Sequence, residues 1–355
     1  MSEHRVDAML LVTEANIAYA TGYHQEQHER FYALLVPAEG DPRLLVPGLE
    51  EPEAQRAVQD SGLQVFAWAD EDGYERSFRS FLEPFGSAAA IAIETMSLPV
   101  AIYGVVKDVA DRADFTDCGS LVDALRARKT PREIELIRGA AAATQRVLNK
   151  IPEHVFEGMS ERQACEIIRA LIMEEEVEGL AFGPFVISGT HSAFPQAHPG
   201  TRRLSQGEPV LIDFGAKRDG YCSDLARTFV VGAPTDRHRE LDEVVRSAQA
   251  AAVDACVIGS TAADVDRAAR GVLADAGLDH YFPHRTGHGV GLEFHEHPNV
   301  HGGNEEPLEA GMVLAIEPGI YIPEFGAIRV EDDVAVTRDG PDLLSTPASG
   351  VPVLG

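Results

Sequence analysis

Acidic residues embedded in apolar runs constrain the fold of this chain more than any other feature. Asp213 interrupts Val210-Leu211-Ile212-Asp213-Phe214-Gly215. Glu317 ends the run Leu314-Ala315-Ile316, and Glu331 stands in Ala327-Ile328-Arg329-Val330-Glu331-Asp332-Asp333. Such runs read as buried strands, and a carboxylate carried into the interior without a partner is costly. The chain must therefore satisfy each acid with backbone N–H groups or bring the acids together around a shared positive charge.

The rest of the composition narrows what that charge serves. The chain has 355 residues, which suits two domains, and 45% hydrophobic with 25% charged residues is globular composition. Lys and Arg total 30 against 57 Asp and Glu, a net charge of −27. Such a surface repels phosphate backbones and anionic lipid, which argues against nucleic-acid binding and polybasic membrane attachment. A small substrate or a divalent cation suits it better. Cys118, Cys165, Cys222 and Cys256 form no CxxC pair, so neither a disulfide framework nor a thiolate zinc site is expected, and a reducing cytoplasmic interior is. Met1–Arg5 carries no apolar signal region, and no run of about 18 apolar residues suggests a membrane span.

The first third alternates strand-like runs (Ala8–Val12, Tyr32–Val36, Leu44–Val46, Ala90–Ile93) with helical stretches (Glu50–Gln59, Tyr74–Glu83, Val100–Asp108), the pattern of an α/β layer. A boundary falls in Asp117–Thr130, placing domains at residues 1–122 and 123–355. Beyond it Thr130-Pro131 with Glu133 spells a capping box. Ile134, Ile137, Ala141, Thr144 and Leu148 then follow at helical spacing. Further helices are expected from Ser160, over Thr235–Cys256, and from Thr261 to a C-cap at Gly277.

The polar residues of interest lie in the strand-and-turn segments between and after these helices. Lys217-Arg218-Asp219-Gly220 is a turn sequence. If those four residues form the loop, Asp213 falls directly opposite Asp224, with Cβ atoms roughly 4.5–5.5 Å apart. Like charges at that distance call for a cation. A second turn around Pro323–Gly326 brings Glu317 near Glu331. In Thr286-Gly287-His288-Gly289-Val290-Gly291, three glycines allow the backbone to approach closely around one imidazole, and His284, His295 and His297 lie nearby. Taken singly, each has a plain structural explanation: a buried Asp on backbone N–H groups, a surface His-rich loop, a turn glutamate. Taken together, four buried-looking carboxylates and one histidine suit two divalent cations. The oxygen-rich set favours Mn²⁺ or Co²⁺, with Zn²⁺ possible. Two such ions share and acidify a water, which implies amide or ester hydrolysis.

On these motifs the sequence resembles the Xaa-Pro peptidases, the prolidases and Xaa-Pro aminopeptidases. They share the α+β pita-bread catalytic fold with methionine aminopeptidase and creatinase. Asn16-Ile17-Ala18-Tyr19-Ala20-Thr21-Gly22-Tyr23 and Leu121–Ala143 extend the resemblance to a smaller α/β creatinase-type N-terminal domain, which methionine aminopeptidases lack. The resemblance implies metal ligation by Asp213, Asp224, His288, Glu317 and Glu331, with Asp224 and Glu331 bridging. It implies that Glu317 handles the proton of a shared hydroxide, that His198, His284 and His295 contact the substrate, and that Arg329 orients these groups. It also implies proline-containing dipeptides or short peptides as substrates, and a homodimer in which His24–Phe31 reaches the neighbouring site. A non-catalytic binding module and a metal-free creatinase-like amidinohydrolase are the competing readings, and the full ligand set argues against both. Strand alternation places Cys222 on the face of Asp224, which makes it a candidate for oxidation sensitivity.

Overall fold

The computed structural model describes residues 6–25, 28–83 and 90–355. The chain divides into two compact units, Met1–Leu125 and Arg126–Gly355.

The first unit runs β1 (Ala8–Leu11), α1 (Glu14–Thr21), β2 (Ala33–Pro37), β3 (Arg43–Pro47), α2 (Glu51–Ala57), β4 (Gln64–Trp68), α3 (Tyr74–Leu82), β5 (Ala90–Ile93), α4 (Val100–Val109) and β6 (Asp114–Asp117). Its six strands form one mixed sheet in the order β4-β3-β2-β1-β5-β6. Successive side chains of a strand face opposite ways, and both faces of this sheet are buried. Leu10, Leu35, Leu45 and Ile91 pack with Phe78 and Phe81 of α3 and Val106 of α4. Leu11, Leu34, Leu44 and Ala92 pack with Ile17 of α1 and Ala54 of α2 on the other face. The expected strands and helices all form. β4 and β6 escaped the sequence reading: β4 is only partly buried, and β6 is exposed at three of its four residues.

Helix α5 (Gly119–Ala127) leads into the second unit, whose helices are α6 (Pro131–His154), α7 (Glu161–Ile172), α8 (Asp236–Asp254) and α9 (Ala262–Asp275). The capping boxes form at Thr130/Glu133, Ser160/Gln163 and Thr261/Asp264, and a further one at Thr235 uses His238. On the face of α6, Ile137, Ala141, Thr144 and Leu148 are buried as their spacing predicts.

The strands of this unit are β7 (Gly179–Leu180), β8 (Phe185–Ser188), β9 (Pro209–Phe214), β10 (Ala216–Arg218), β11 (Tyr221–Cys222), β12 (Leu225–Val231), β13 (Gly287–Gly289), β14 (Glu296–Val300), β15 (Val313–Ile316), β16 (Gly319–Ile322), β17 (Gly326–Arg329), β18 (Asp332–Thr337), β19 (Gly340–Leu343) and β20 (Val353–Leu354). They form two principal sheets, β20-β12-β9-β8 and β14-β13-β15-β18-β19. Helices α6 and α7 pack on the first, and α8 and α9 on the second, each pair sharing an apolar core with its sheet. This is the α+β catalytic architecture that the sequence implied.

One register differs from expectation. The turn is the two-residue Asp219-Gly220, with φ of +47° and +81°, rather than a four-residue loop. Asp-Gly is the favoured pair where both central residues of a hairpin need positive φ. Lys217 therefore pairs with Cys222, and Asp213 with Ala226 instead of Asp224. The slip moves each partner by two positions. An even shift keeps the side chains of the paired strands on their faces, and Asp224, just ahead of β12, still converges with Asp213.

Among the described residues no helix is long and apolar enough to cross a membrane.

Candidate metal centre

Each acid reaches the site because a strand ends or breaks beside it. Asp213 lies near the end of β9. Asp224 precedes β12, where the ladder is interrupted: its N–H donates to Asp333 Oδ2 (3.0 Å), while the Ser223 hydroxyl bonds to Thr144 of α6 (2.9 Å). Glu317 and Glu331 occupy the junction of two ladders, β15 with β18 and β16 with β17. In both, paired residue numbers add to the same total, so Glu317 stands across from Glu331 as the hairpin reading predicts. Their backbones are held from outside, Glu317 N–H on Thr286 O (2.8 Å) and Glu331 N–H on Ala226 O (3.0 Å).

His288 sits mid-strand in β13, between β14 and β15. A Cβ at Gly287 would collide with Ala315 O, and one at Gly289 with His297 O, so the glycines admit this close approach. The ring Nδ1 faces Gly289 O (3.1 Å). A carbonyl only accepts, so Nδ1 carries the hydrogen and the Nε2 lone pair points into the cluster. It lies 3.7 Å from both Asp224 Oδ2 and Glu317 Oε1. That is too long for a hydrogen bond. It fits two ligands of one ion, each about 2.1 Å from it.

Ligand atoms of His288, Glu317 and Glu331 lie within 4.8 Å of one another. So do those of Asp213, Asp224 and Glu331, and those of Asp224, His288 and His295. Asp224, His288 and Glu331 each belong to two of the three groups. Asp213 Oδ1, Asp224 Oδ1 and Glu331 Oε2 are buried without a hydrogen-bond partner among the described residues. Buried carboxylate oxygens of this kind are what an oxygen-seeking cation satisfies, so the residues fit a metal pair.

Arg329 is the protein's own counter-charge. It pairs with Asp213 and lies 3.7 Å from Glu317 Oε2 and 3.8 Å from Glu331 Oε2. Even so, burial and then the neighbouring carboxylates hold Asp224 and Glu331 well above the usual carboxylate range. Burial raises Asp213 against the pull of Arg329, and lifts Glu317 to about 7.

The cluster opens into a cavity of about 550 Å³ walled by Phe182, Phe185, Pro195 and Phe294, with His284, Arg285 and His295 among its polar groups. His295 stands edge-on to His288, ring centroids 4.1 Å apart, and burial followed by the Arg285 charge brings it down to about 4. His284 is also brought to about 4, by burial and then Arg329, so it is neutral. Its Nδ1–H donates to Arg285 O (2.8 Å) and its Nε2 meets the Tyr321 hydroxyl (2.9 Å). Both ring nitrogens are thus engaged by the protein.

His198 is not brought to this cavity. It is exposed and lines a neighbouring one with Glu161, His191 and Arg202. The buried Glu161 carboxylate holds Gly200 N–H (3.0 Å) and His191 Nδ1 (3.0 Å), which draws the end of the loop that way, while Pro195 and Gln196 face the cluster. Cys222 also departs from expectation. The ladder breaks between β11 and β12, so alternation does not carry across to Asp224. Its thiol lies among Ile137, Ala141 and Val290, pushed up to about 12 by burial, which removes the basis for reactivity.

The sequence reading missed Asp333 behind Asp224 and Tyr321, whose hydroxyl joins His284 to Arg329 (3.3 Å). The acidic run Glu331-Asp332-Asp333 was a visible signal for the first; nothing marked the second.

Residues 135–338 match metallopeptidase family M24, and residues 1–128 match the creatinase/prolidase N-terminal domain. The chain belongs to family M24. Relatives of this peptidase span its whole length. An Xaa-Pro dipeptidase of Lactobacillus helveticus is 37% identical, over 94% of this chain and 91% of its own. The crystal structure of a prolidase from Thermococcus sibiricus superposes with a TM-score of 0.93 at 32% identity, covering 99% of this chain and 96% of the other. A dipeptidase structure from Pyrococcus horikoshii gives 0.91 at 34% identity, covering 99% and 97%.

As a metallopeptidase this protein takes divalent metal, and its acids set a pH dependence. Glu317 binds more protons folded than unfolded between about 4.5 and 7, so its contribution to the metal-free fold is complete below the lower value and is lost as pH rises through the upper. Metal displaces those protons. The thermal shift on adding divalent metal is therefore expected to be larger at pH 8 than at pH 5.5 in a melting experiment, and an equal shift would contradict the assignment.

Proposed function

We propose that this peptidase hydrolyses the bond before proline in Xaa-Pro dipeptides, and that Asp213, Asp224, His288, Glu317 and Glu331 would hold the two manganese ions it uses. The observation that carries this reading is the convergence of the five side chains, three with orphaned oxygens, at the floor of one apolar-walled cavity. When bound, the cations supply Lewis acidity toward the scissile carbonyl and acidify water.

The chain's own residues do the rest. The scissile nitrogen is the proline ring's own and carries no hydrogen, so a site that grips a scissile N–H gains nothing here. This cavity offers an apolar wall of Phe182, Phe185, Pro195 and Phe294 for the pyrrolidine. A carboxylate held against the attacking water both accepts a proton and returns it. Glu317 takes one from the attacking water and delivers it to the departing proline nitrogen. Arg329 fixes Asp213 and Glu317 in place, and Tyr321 holds Arg329 and His284 as a unit. His295, neutral and lining the cavity, is the imidazole placed to donate to the scissile carbonyl; His284 acts through its neighbours.

Pairing of two copies through the N-terminal unit, a contribution from His24–Phe31 to the partner's site, and residence in the cytoplasm belong to the same reading. Glu26 and Gln27 of that stretch lie outside the described residues. Size measurement with mixed-mutant complementation tests the pairing.

The activity is tested by product analysis. Manganese-loaded protein given Xaa-Pro, Xaa-Pro-Yaa and a longer Xaa-Pro peptide should release free proline from the dipeptide fastest. Faster cleavage of the longer peptides would make it an aminopeptidase, and no cleavage of any would end the Xaa-Pro reading.

A further inference from the structure

We infer that Glu296, clamped by Arg126 and Lys129, is a positioning residue that aims His295; this rests on the reading above, in which His295 meets the scissile carbonyl. Phe294 and His295 line the metal-site cavity, and Glu296 follows them at the start of β14. Its buried carboxylate carries two cations. Lys129 Nζ donates to Oε1 (2.6 Å) and Arg126 Nη2 to Oε2 (2.6 Å), while Arg126 Nη2 also reaches Glu293 Oε2 (2.7 Å). The Arg126 and Lys129 side chains are only 5% and 1% exposed, so water screens this cluster little. Both cations stand on fixed supports. Arg126 lies in the last turn of α5, and Lys129 precedes the Thr130 cap of α6, with its N–H on Gly311 O (2.9 Å).

A buried ion cluster gains little stability over well-packed apolar residues, because desolvation offsets its attraction. What two cations on one carboxylate do fix is the place of that carboxylate. That place needs fixing, because Glu296 pairs with Gly289 where the β13–β14 ladder shifts register. At such an irregularity strand alternation no longer dictates which way a side chain faces. The chain is also wrapped on the carboxylate. A Cβ at Gly291 would collide with it, Gly291 N–H donates to Glu293 O (3.0 Å), and Gly291 O accepts from Cys222 N–H (2.7 Å). With both ends of residues 291–296 tied, the His295 ring is kept 4.1 Å from that of His288 and in the cavity wall.

The test is a double-mutant cycle on the manganese-loaded enzyme with Ala-Pro. Glu296→Gln should lower kcat by roughly 100-fold, the scale of about 1 Å of misplacement, with KM little changed. His295→Ala should cost at least as much, and the double variant should fall within about threefold of His295→Ala alone, because the two residues act through one contact. Arg126→Gln leaves the Lys129–Glu296 pair in place; it should lose less, show the same non-additivity, and serve if Glu296→Gln does not fold. Amide hydrogen exchange needs no turnover. It should quicken over residues 291–296 in either variant and keep the wild-type rate in α8 and α9. Additive losses in the cycle, an unchanged kcat in folded Glu296→Gln, a His295→Ala enzyme as fast as the wild type, or exchange that is unchanged over 291–296 or quickened everywhere alike overturns the assignment. A wild type that leaves Ala-Pro uncleaved removes the Xaa-Pro reading itself, and the exchange rates then decide the clamp.

Discussion

The Glu317→Gln enzyme is expected to fold normally and to turn over Xaa-Pro roughly 10³-fold more slowly, within the range that a positioned proton carrier contributes. Glutamine keeps the size of the side chain and an oxygen that can still face a cation, but it cannot hold and return a proton. The loss should fall on kcat, with KM little changed, because the group acts after the substrate is seated. Melting in the metal-free state should not fall, because the replaced carboxyl is buried and held up near 7 by its surroundings. Metal analysis of the variant separates proton transfer from ligation: two ions bound with activity gone supports the proton role. Activity within tenfold of wild type would remove Glu317 from the mechanism.

Replacing Arg329 by methionine has its largest effect on the metal-free protein. Asp213, Glu317 and Glu331 would face one another without the guanidinium that lies against all three. Removing one partner of a buried charge cluster costs ~3–5 kcal/mol, and urea midpoints of the metal-free protein should fall accordingly. The penalty should shrink toward pH 5, where the raised carboxyls take up protons and need the arginine less. It should shrink again with metal present. A midpoint unchanged at pH 8 would show that Arg329 is not the charge that balances these acids.

The parts of the site that were legible in the sequence depend on parity and hairpin register. Glu317 and Glu331 meet because a short turn at Pro323–Gly326 leaves one register for both flanking ladders. Asp213 and Asp224 meet although their predicted register was wrong by two positions: the even slip keeps Asp213 on its face, and the bond from Asp224 N–H to Asp333 holds Asp224 beside it. The same alternation failed for Cys222, because it does not hold across a break in the strand. Loops follow neither rule. His198 sits where the buried Glu161 holds its loop, and no spacing in the sequence encodes that bond. Tyr321 looks like an ordinary strand tyrosine until folding places its hydroxyl between His284 and Arg329. Apolar alternation likewise found the buried strands of the N-terminal sheet but not β4 and β6, which are incompletely covered.

The central claim, that five side chains cage two cations, is tested most directly by counting bound metal. Purified protein stripped of metal and reloaded with manganese should hold about two equivalents per chain, and Asp224→Asn, which weakens a proposed ligand, should lower the count while the fold persists. A wild-type protein that hydrolyses Xaa-Pro with no metal bound, or an Asp224→Asn variant that still holds two equivalents as tightly, would contradict it.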